Sequence, residues 1–494
     1  MLAQYMAPIM FGGLVVFLLI GYPVAFSLAF TGLAFGYLGV ELGMLQPALL
    51  QALPERVLGI MGNSTLLAIP FFTLMGLILE RSGMAEDLLD TIGQVFGSIR
   101  GGVAYAVVFV GALLAATTGV VAASVLAMGL ISLPVMMRYG YSNRLSTGVI
   151  AASGTLAQII PPSLVLIVLA DQMGVSVGDM YEGALFPGLG LAAAYAVWVF
   201  IISVVKPEAA PGCPPEMRTL RGGKLALRVA TSMVPPLVLI FLVLGTIFLG
   251  VATPTEGGGM GATGALILAL VKRKLSWKLL REAVESTATM TSFVMFILVG
   301  STVFSLVFRG VDGDLWVERL LLHVPGGALG FLIVVNVMIF LLAFFLDYFE
   351  IAFIMVPLLT PVAQKLGIDL IWFGVLLAVN MQTSFLHPPF GFALFYLRSV
   401  APKSVKTSDI YWGAIPFVVI QVLMVATVIA FPSLVTGNVT AAATVKGTGE
   451  EELQRQIREE INPGEAHGTK PPASTGEKPD DAASEIERAL KEGK

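Results

Sequence analysis

Charge is scarce in this sequence: 13% of its 494 residues are charged, 56% are hydrophobic, and mean hydropathy is +0.87. A soluble domain usually has about 25% charged residues, so this chain lacks the polar surface to coat a water-soluble globule. It reads as a membrane protein. The single cysteine, Cys213, excludes a disulfide framework or a cysteine-rich metal cluster, and His323, His387 and His467 share no ligand spacing. No GxxxxGK[ST] occurs, so the chain has no P-loop of its own and binds no nucleotide for power; the driving force is an ion gradient or a partner's ATP. The first basic residue is Arg56, so the apolar opening lacks the positive start of a signal peptide and reads as retained spans. Segment 436–494 has 8 basic and 12 acidic residues, leaving 21 of each elsewhere. That balance gives no case for nucleic acid.

Apolar runs recur near 6–20, 24–40, 66–79, 103–137, 147–170, 184–205, 229–251, 257–271, 289–308, 328–363, 371–397 and 411–435. A crossing needs roughly 20 residues. The runs 103–137 and 328–363 are too long for one pass and too interrupted for two, which predicts hairpins that enter and leave on one side. Non-helical backbone at membrane depth is tolerated only where protein buries it or it lines a cavity, so the breaks carry information. Three landmarks repeat. Pro23 matches Pro254, Pro161-Pro162 matches Pro388-Pro389, and the segment around Tyr181 matches that around Tyr411, at offsets of 231, 227 and 230 residues.

These offsets divide the chain into a first membrane repeat (1–205), a cytoplasmic linker (206–228), a second membrane repeat (229–435) and a polar tail (436–494). The tail reads as disordered and solvated, with a docking arm as the alternative. The expected fold is an all-α polytopic membrane protein of two inverted-topology repeats, each with about five crossings, a re-entrant hairpin and a Pro-broken helix. An odd number of crossings inverts the second copy. With the N-terminus outside, Arg138, Arg144, the linker cations, Lys272-Arg273-Lys274, Arg398, Lys403 and Lys406 fall in the cytoplasm. Segment 81–100 fits poorly, because Glu86, Asp87 and Asp90 outnumber Arg81 and Arg100 there.

Paired helix breaks in inverted repeats point to a midplane transport site. The first copy offers a tip at Thr118-Gly119 and a break at Ser153-Gly154-Thr155 before Pro161-Pro162-Ser163. The second offers a tip at Asp347 to Glu350 and a break at Asn380, Gln382, Thr383 and Ser384 before His387-Pro388-Pro389. Hydroxyl and amide oxygens with freed carbonyls suit Na⁺. The plainer reading of each hydroxyl is a bond back to its own helix, and of the prolines a kink. Asp347 and Glu350, at i and i+3, read as a proton or cation relay or as caps of the tip. His387 reads as a titrating group or a structural one. Glu256 reads as a helix cap. Gly259 to Gly264 spells GxGxxG inside an apolar span, where close helix packing explains it better than a dinucleotide site.

Ile69-Pro-Phe-Phe-Thr-Leu-Met-Gly76, Thr118-Gly119, Ala152 to Ser163, Thr253-Pro-Thr-Glu256, Phe345-Leu-Asp347 and Pro388-Pro-Phe-Gly391 together resemble the large membrane subunit of tripartite ATP-independent periplasmic (TRAP) transporters, over about residues 5 to 435. The resemblance implies an elevator-type importer in the bacterial inner membrane, driven by Na⁺, with H⁺ as the alternative coupling ion. It implies a small four-helix membrane subunit and a periplasmic binding protein that captures mostly organic acids. Thr118, Gly119, Ser153, Gly154, Thr155, Asp347, Asn380, Gln382 and Thr383 are then the candidate Na⁺ sites. Pro161, Pro162, Ser163, Glu350, Ser384, His387, Pro388 and Pro389 are the candidate substrate chamber. Val120-Val121 stands where many relatives have serines, and Tyr348 where many have proline. A binding-protein-independent dicarboxylate transporter is the alternative; an intramembrane enzyme has no supporting residue set.

Overall fold

A computed structural model describes residues 2–118, 121–213, 222–344, 346–389, 391–437 and 439, and every regular element among them is helical. The first half runs α1 (Leu2–Ile20), α2 (Val24–Glu41), α3 (Pro47–Gln51), α4 (Leu53–Met61), α5 (Ala68–Arg81), α6 (Met84–Phe96), α7 (Gly102–Thr118), α8 (Val121–Arg138), α9 (Asn143–Thr155), α10 (Leu164–Met173) and α11 (Val177–Val205). The second runs α12 (Gly223–Phe248), α13 (Pro254–Val271), α14 (Trp277–Gly310), α15 (Gly313–Leu322), α16 (Gly327–Leu342), α17 (Tyr348–Ile354), α18 (Val356–Lys365), α19 (Leu370–Met381), α20 (Phe392–Val400) and α21 (Thr407–Ala430). Among the described residues α2, α8, α11, α12, α14 and α21 are long and apolar enough to cross a membrane. Two bent pairs meet the same test, 47–61 with 65–81 at 50° and 313–322 with 327–342 at 114°. The expected tail, 436–494, lies almost wholly outside the described residues.

Helix starts follow local chemistry. Ser163, Ser176, Ser276 and Asp369 accept first-turn N–H groups at the starts of α10, α11, α14 and α19. Thr253 and Glu256 form a reciprocal capping box on α13, with Thr253 N–H donating to Glu256 Oε2 at 2.8 Å. The cap reading of Glu256 holds.

Long run 103–137 divides into α7 and α8. Their far ends meet where Val103 N–H donates to the Tyr141 hydroxyl at 3.2 Å, which makes the pair a hairpin. The first break ends α9 and continues through a short 3₁₀ turn, 156–158, to α10; the second ends α19 and continues through 382–385 to α20. Close approaches tie the halves together. A Cβ at Gly148 of α9 would lie 2.1 Å from the Gly413 carbonyl oxygen of α21, so only glycine allows this crossing. Gly261 of the GxGxxG string lies in α13, where a Cβ would meet Met75 Sδ of α5 at 2.5 Å. This is packing, as the sequence suggested.

One face gathers the basic loops. Asp87 of α6 pairs with Arg228 at 3.0 Å and approaches Lys272 to 3.9 Å, while Arg81 pairs with Glu282 at 3.1 Å. Linker carbonyls of Ala209 and Ala210 accept from Ser142 and Gly101 N–H on the same face. Asp87, one of the three acids of 81–100, therefore sits against Arg228 and Lys272. Elsewhere Asn63 donates to Asp171 at 2.6 Å and Lys365 pairs with Glu318 at 2.6 Å.

Candidate functional site

Residues beside two tips and two broken helices line a half-open cavity of about 280 Å³. Val121 and Ala122, the first residues of α8, line it from the first tip. Leu164 and Val165, the first residues of α10, line it from beyond the first break, and Phe392 does so at the start of α20. Three helices of nine or more residues thus end N-terminus first on one small space. Such ends carry partial positive charge and present N–H groups. No Lys, Arg or His is among the described residues that line it.

The second tip also lines the cavity. Asp347 caps α17 by accepting Tyr348 N–H at 2.6 Å, and Glu350 reaches back to accept Asp347 N–H at 2.8 Å. The two acids form a capping box, the plainer of their sequence readings, and both also line the cavity. The Tyr348 hydroxyl donates to the Val165 carbonyl, joining the second tip to the first broken helix. Gln158, 2% exposed, faces the same space and its Oε1 accepts no hydrogen bond among the described residues.

A fully buried polar cluster lies at the breaks. Gln382 Nε2 donates to Thr155 Oγ1 at 3.0 Å, and Gln421 Nε2 of α21 donates to the Tyr195 hydroxyl of α11 at 2.9 Å and approaches Thr155 Oγ1 at 3.4 Å. At the second break Asn380 Nδ2 donates to the Asn336 carbonyl at 2.8 Å and Thr383 Oγ1 to the Asn380 carbonyl at 2.6 Å. Ser153 Oγ, Gln382 Oε1, Gln421 Oε1 and Asn336 Oδ1 are buried without a protein partner among the described residues. All four are oxygens, the donor type that a hard monovalent cation takes and an uncompensated interior penalises. No group of three or more His, Cys, Asp or Glu suited to a multivalent metal occurs among the described residues.

The structure therefore brings Thr155 and Gln382 into one cluster and Asp347 and Glu350 to the cavity wall. Gly154 is explained by packing, since a Cβ there would meet Val125 Cγ2 at 2.3 Å. Ser163 caps α10, and Ser384 Oγ donates to the Met381 carbonyl at 2.5 Å. His387 stacks on Phe344 with ring centroids 3.9 Å apart, away from the cavity wall. Pro161 lines a separate apolar crevice between α7, α11 and α12, and Pro162, Pro388 and Pro389 shape the turns of the two breaks. Gly119 and the side chain of Thr118 lie outside the described residues. Sequence reading missed Tyr195, Gln421, Asn336 and Gln158. The only available signal was a lone amide or hydroxyl in an apolar helix, as in Ile420-Gln421-Val422.

Comparison with known proteins agrees with this architecture. The C4-dicarboxylate TRAP transporter large permease protein DctM of Rhodobacter capsulatus is 29% identical over 450 residues, covering 87% of this chain and 99% of that protein. Its counterpart in Pseudomonas aeruginosa is 31% identical over 371 residues, covering 75% and 85%. The sialic acid TRAP transporter permease protein SiaT of Haemophilus influenzae is 25% identical, covering 85% and 66%. Among solved structures, the YdaH transporter of Alcanivorax borkumensis superposes with a TM-score of 0.56 at 14% identity, covering 79% of this chain and 90% of that one, a likeness of fold alone. The family model described as the DctM component of the tripartite ATP-independent periplasmic transporter matches residues 11–434. The chain thus belongs to the large membrane subunits of the TRAP transporters, transporter permeases and multi-pass proteins of the bacterial inner membrane.

Proposed function

We propose that this chain carries out Na⁺-coupled import of a small organic acid, delivered by a periplasmic binding protein and moved with the help of a small four-helix membrane subunit. The observation that carries the reading is the convergence of the N-terminal ends of α8, α10 and α20 on one half-open cavity with no basic side chain among its described lining residues. Helix ends can hold a carboxylate while leaving it free to depart, which a buried arginine pair would oppose. Coupling to Na⁺ is supported by the buried, unpartnered oxygens around Thr155, Gln382 and Asn380.

The halves are proposed to be inverted repeats. Elements beginning at 24, 143 and 177 have counterparts beginning at 254, 370 and 407. The contacts between halves also occur in matched pairs: α2 packs on α14 as α5 does on α13, and α9 packs on α21 as α11 does on α19. The basic face then lies in the cytoplasm. An elevator stroke is supported by the apolar crevice of about 520 Å³ that separates α7 and α11 from α12. The test is thermal stability of the purified chain against Na⁺, K⁺ and choline chloride at equal ionic strength. Stabilisation by Na⁺ alone supports the coupling ion; equal melting in all three overturns it.

A further inference from the structure

The cavity carries a second chemistry that the binding of a plain organic anion does not call for. The same cavity that the helix N-termini line is also lined by the carboxylates of Asp347 and Glu350 and by Gln158, whose Oε1 has no partner among the described residues, all hydrogen-bond acceptors. Asp347 accepts from the backbone N–H groups of Tyr348 and Glu350, whereas the capping-box bond to Glu350 uses its Oε2. Aromatic rings fill much of the rest: Phe293, Tyr348, Phe349, Phe385, Phe392 and Tyr396. They meet as tilted or edge-on pairs, Phe293 with Phe349 at 6.4 Å and 79°, Tyr348 with Phe349 at 5.0 Å and 62°, and Phe385 with Phe392 at 5.8 Å and 52°.

Ring faces and carboxylates attract the same partner, a cation. In a cavity of about 280 Å³ a dicarboxylate held at the helix N-termini would keep its second charge near Asp347 and Glu350, where like charges repel. A substrate with a carboxylate at one end and an ammonium at the other suits both sets of groups. We infer that the chamber is built for a zwitterionic organic acid, one whose anionic group meets the ends of α8, α10 and α20 and whose cationic nitrogen meets Glu350, Asp347, Gln158 and the surrounding rings. This rests on the organic-acid reading above and narrows it. It sets the chain apart from the relatives whose names specify C4-dicarboxylates.

The experiment uses four probes of one chain length class: gamma-aminobutyrate, its trimethylammonium analogue, pentanoate and glutarate. Each is titrated into the purified full chain in saturating Na⁺, with binding read by calorimetry. The two zwitterions are expected to bind at least about tenfold more tightly than pentanoate or glutarate, the difference made by one charge-assisted contact. Glu350→Gln is the decisive variant, because glutamine at the third helical position retains the capping box while removing the charge. It is expected to abolish the zwitterion preference and to bring glutarate up toward the zwitterions. Gln158→Leu is the second variant, leaves the box untouched, and is expected to weaken both zwitterions alone. Equal or tighter binding of pentanoate or glutarate by the unaltered chain overturns the inference, as does an unchanged order in Glu350→Gln. Failure of all four to bind overturns the organic-acid chamber itself.

Discussion

Replacing Thr155 by valine keeps the shape of the side chain and removes one hydroxyl from the buried cluster. That hydroxyl accepts Gln382 Nε2 at 3.0 Å and donates to the Ala152 carbonyl at 2.8 Å. Gln421 retains its bond to Tyr195, so the main loss is one amide donor left unmatched where Thr155 and Gln382 are fully buried. An unsatisfied buried donor costs about 1–3 kcal/mol. If the same hydroxyl also contacts Na⁺, loss of about 1.4 kcal/mol of ion binding raises the Na⁺ concentration for half-maximal uptake about tenfold. Thr155→Ser restores the hydroxyl and is expected to return Na⁺ dependence to the unaltered value. The assay is uptake of labelled substrate into proteoliposomes over a Na⁺ titration, with melting measured in parallel. A Val variant that melts lower but keeps its Na⁺ dependence would refute the ion-site assignment and leave Thr155 as a packing residue.

Further outcomes follow from the packing and the caps. Gly413→Ala places a methyl 2.2 Å from the Arg144 carbonyl oxygen; overpacking of this kind costs about 1–3 kcal/mol or more, and size-exclusion chromatography with melting should show a destabilised protein. Thr253→Ala removes one arm of the α13 capping box and is expected to cost about 1 kcal/mol without altering Na⁺ dependence, as read by melting and the same uptake titration. Asp87→Asn breaks contacts to Arg228 and Lys272 that are partly solvated. Its expected cost is about 1 kcal/mol or less, vanishing in high salt, and a large salt-independent loss in melting would contradict it.

The parts legible in the sequence were those that interrupt an apolar pattern. Pro161-Pro162 and Pro388-Pro389 break helices, and an interruption in a long apolar run is visible against its uniform background. Glu256, just after Pro254-Thr255, announced a helix cap, which the structure completes with Thr253 as a capping box. Hidden parts depended on three-dimensional proximity. Tyr195 and Gln421 lie 226 positions apart and meet only because α11 and α21 flank the breaks. The polar helices α6 and α15 fell outside any apolar run, so their place was not foreseen, nor was the pairing of Asp87 with distant cations. His387 stacks on Phe344, and its two ring nitrogens are buried without a hydrogen-bond partner among the described residues, so neither of its sequence readings is decided. The short run 66–79 gave only the second half of a bent element that begins at Pro47.

The most direct test of the central claim is uptake of a labelled organic acid into proteoliposomes that hold this chain with a small-subunit partner, with and without the binding protein and an inward Na⁺ gradient. The account predicts accumulation only when both are present. Uptake that proceeds without the binding protein, or that follows a proton gradient and ignores Na⁺, would contradict it.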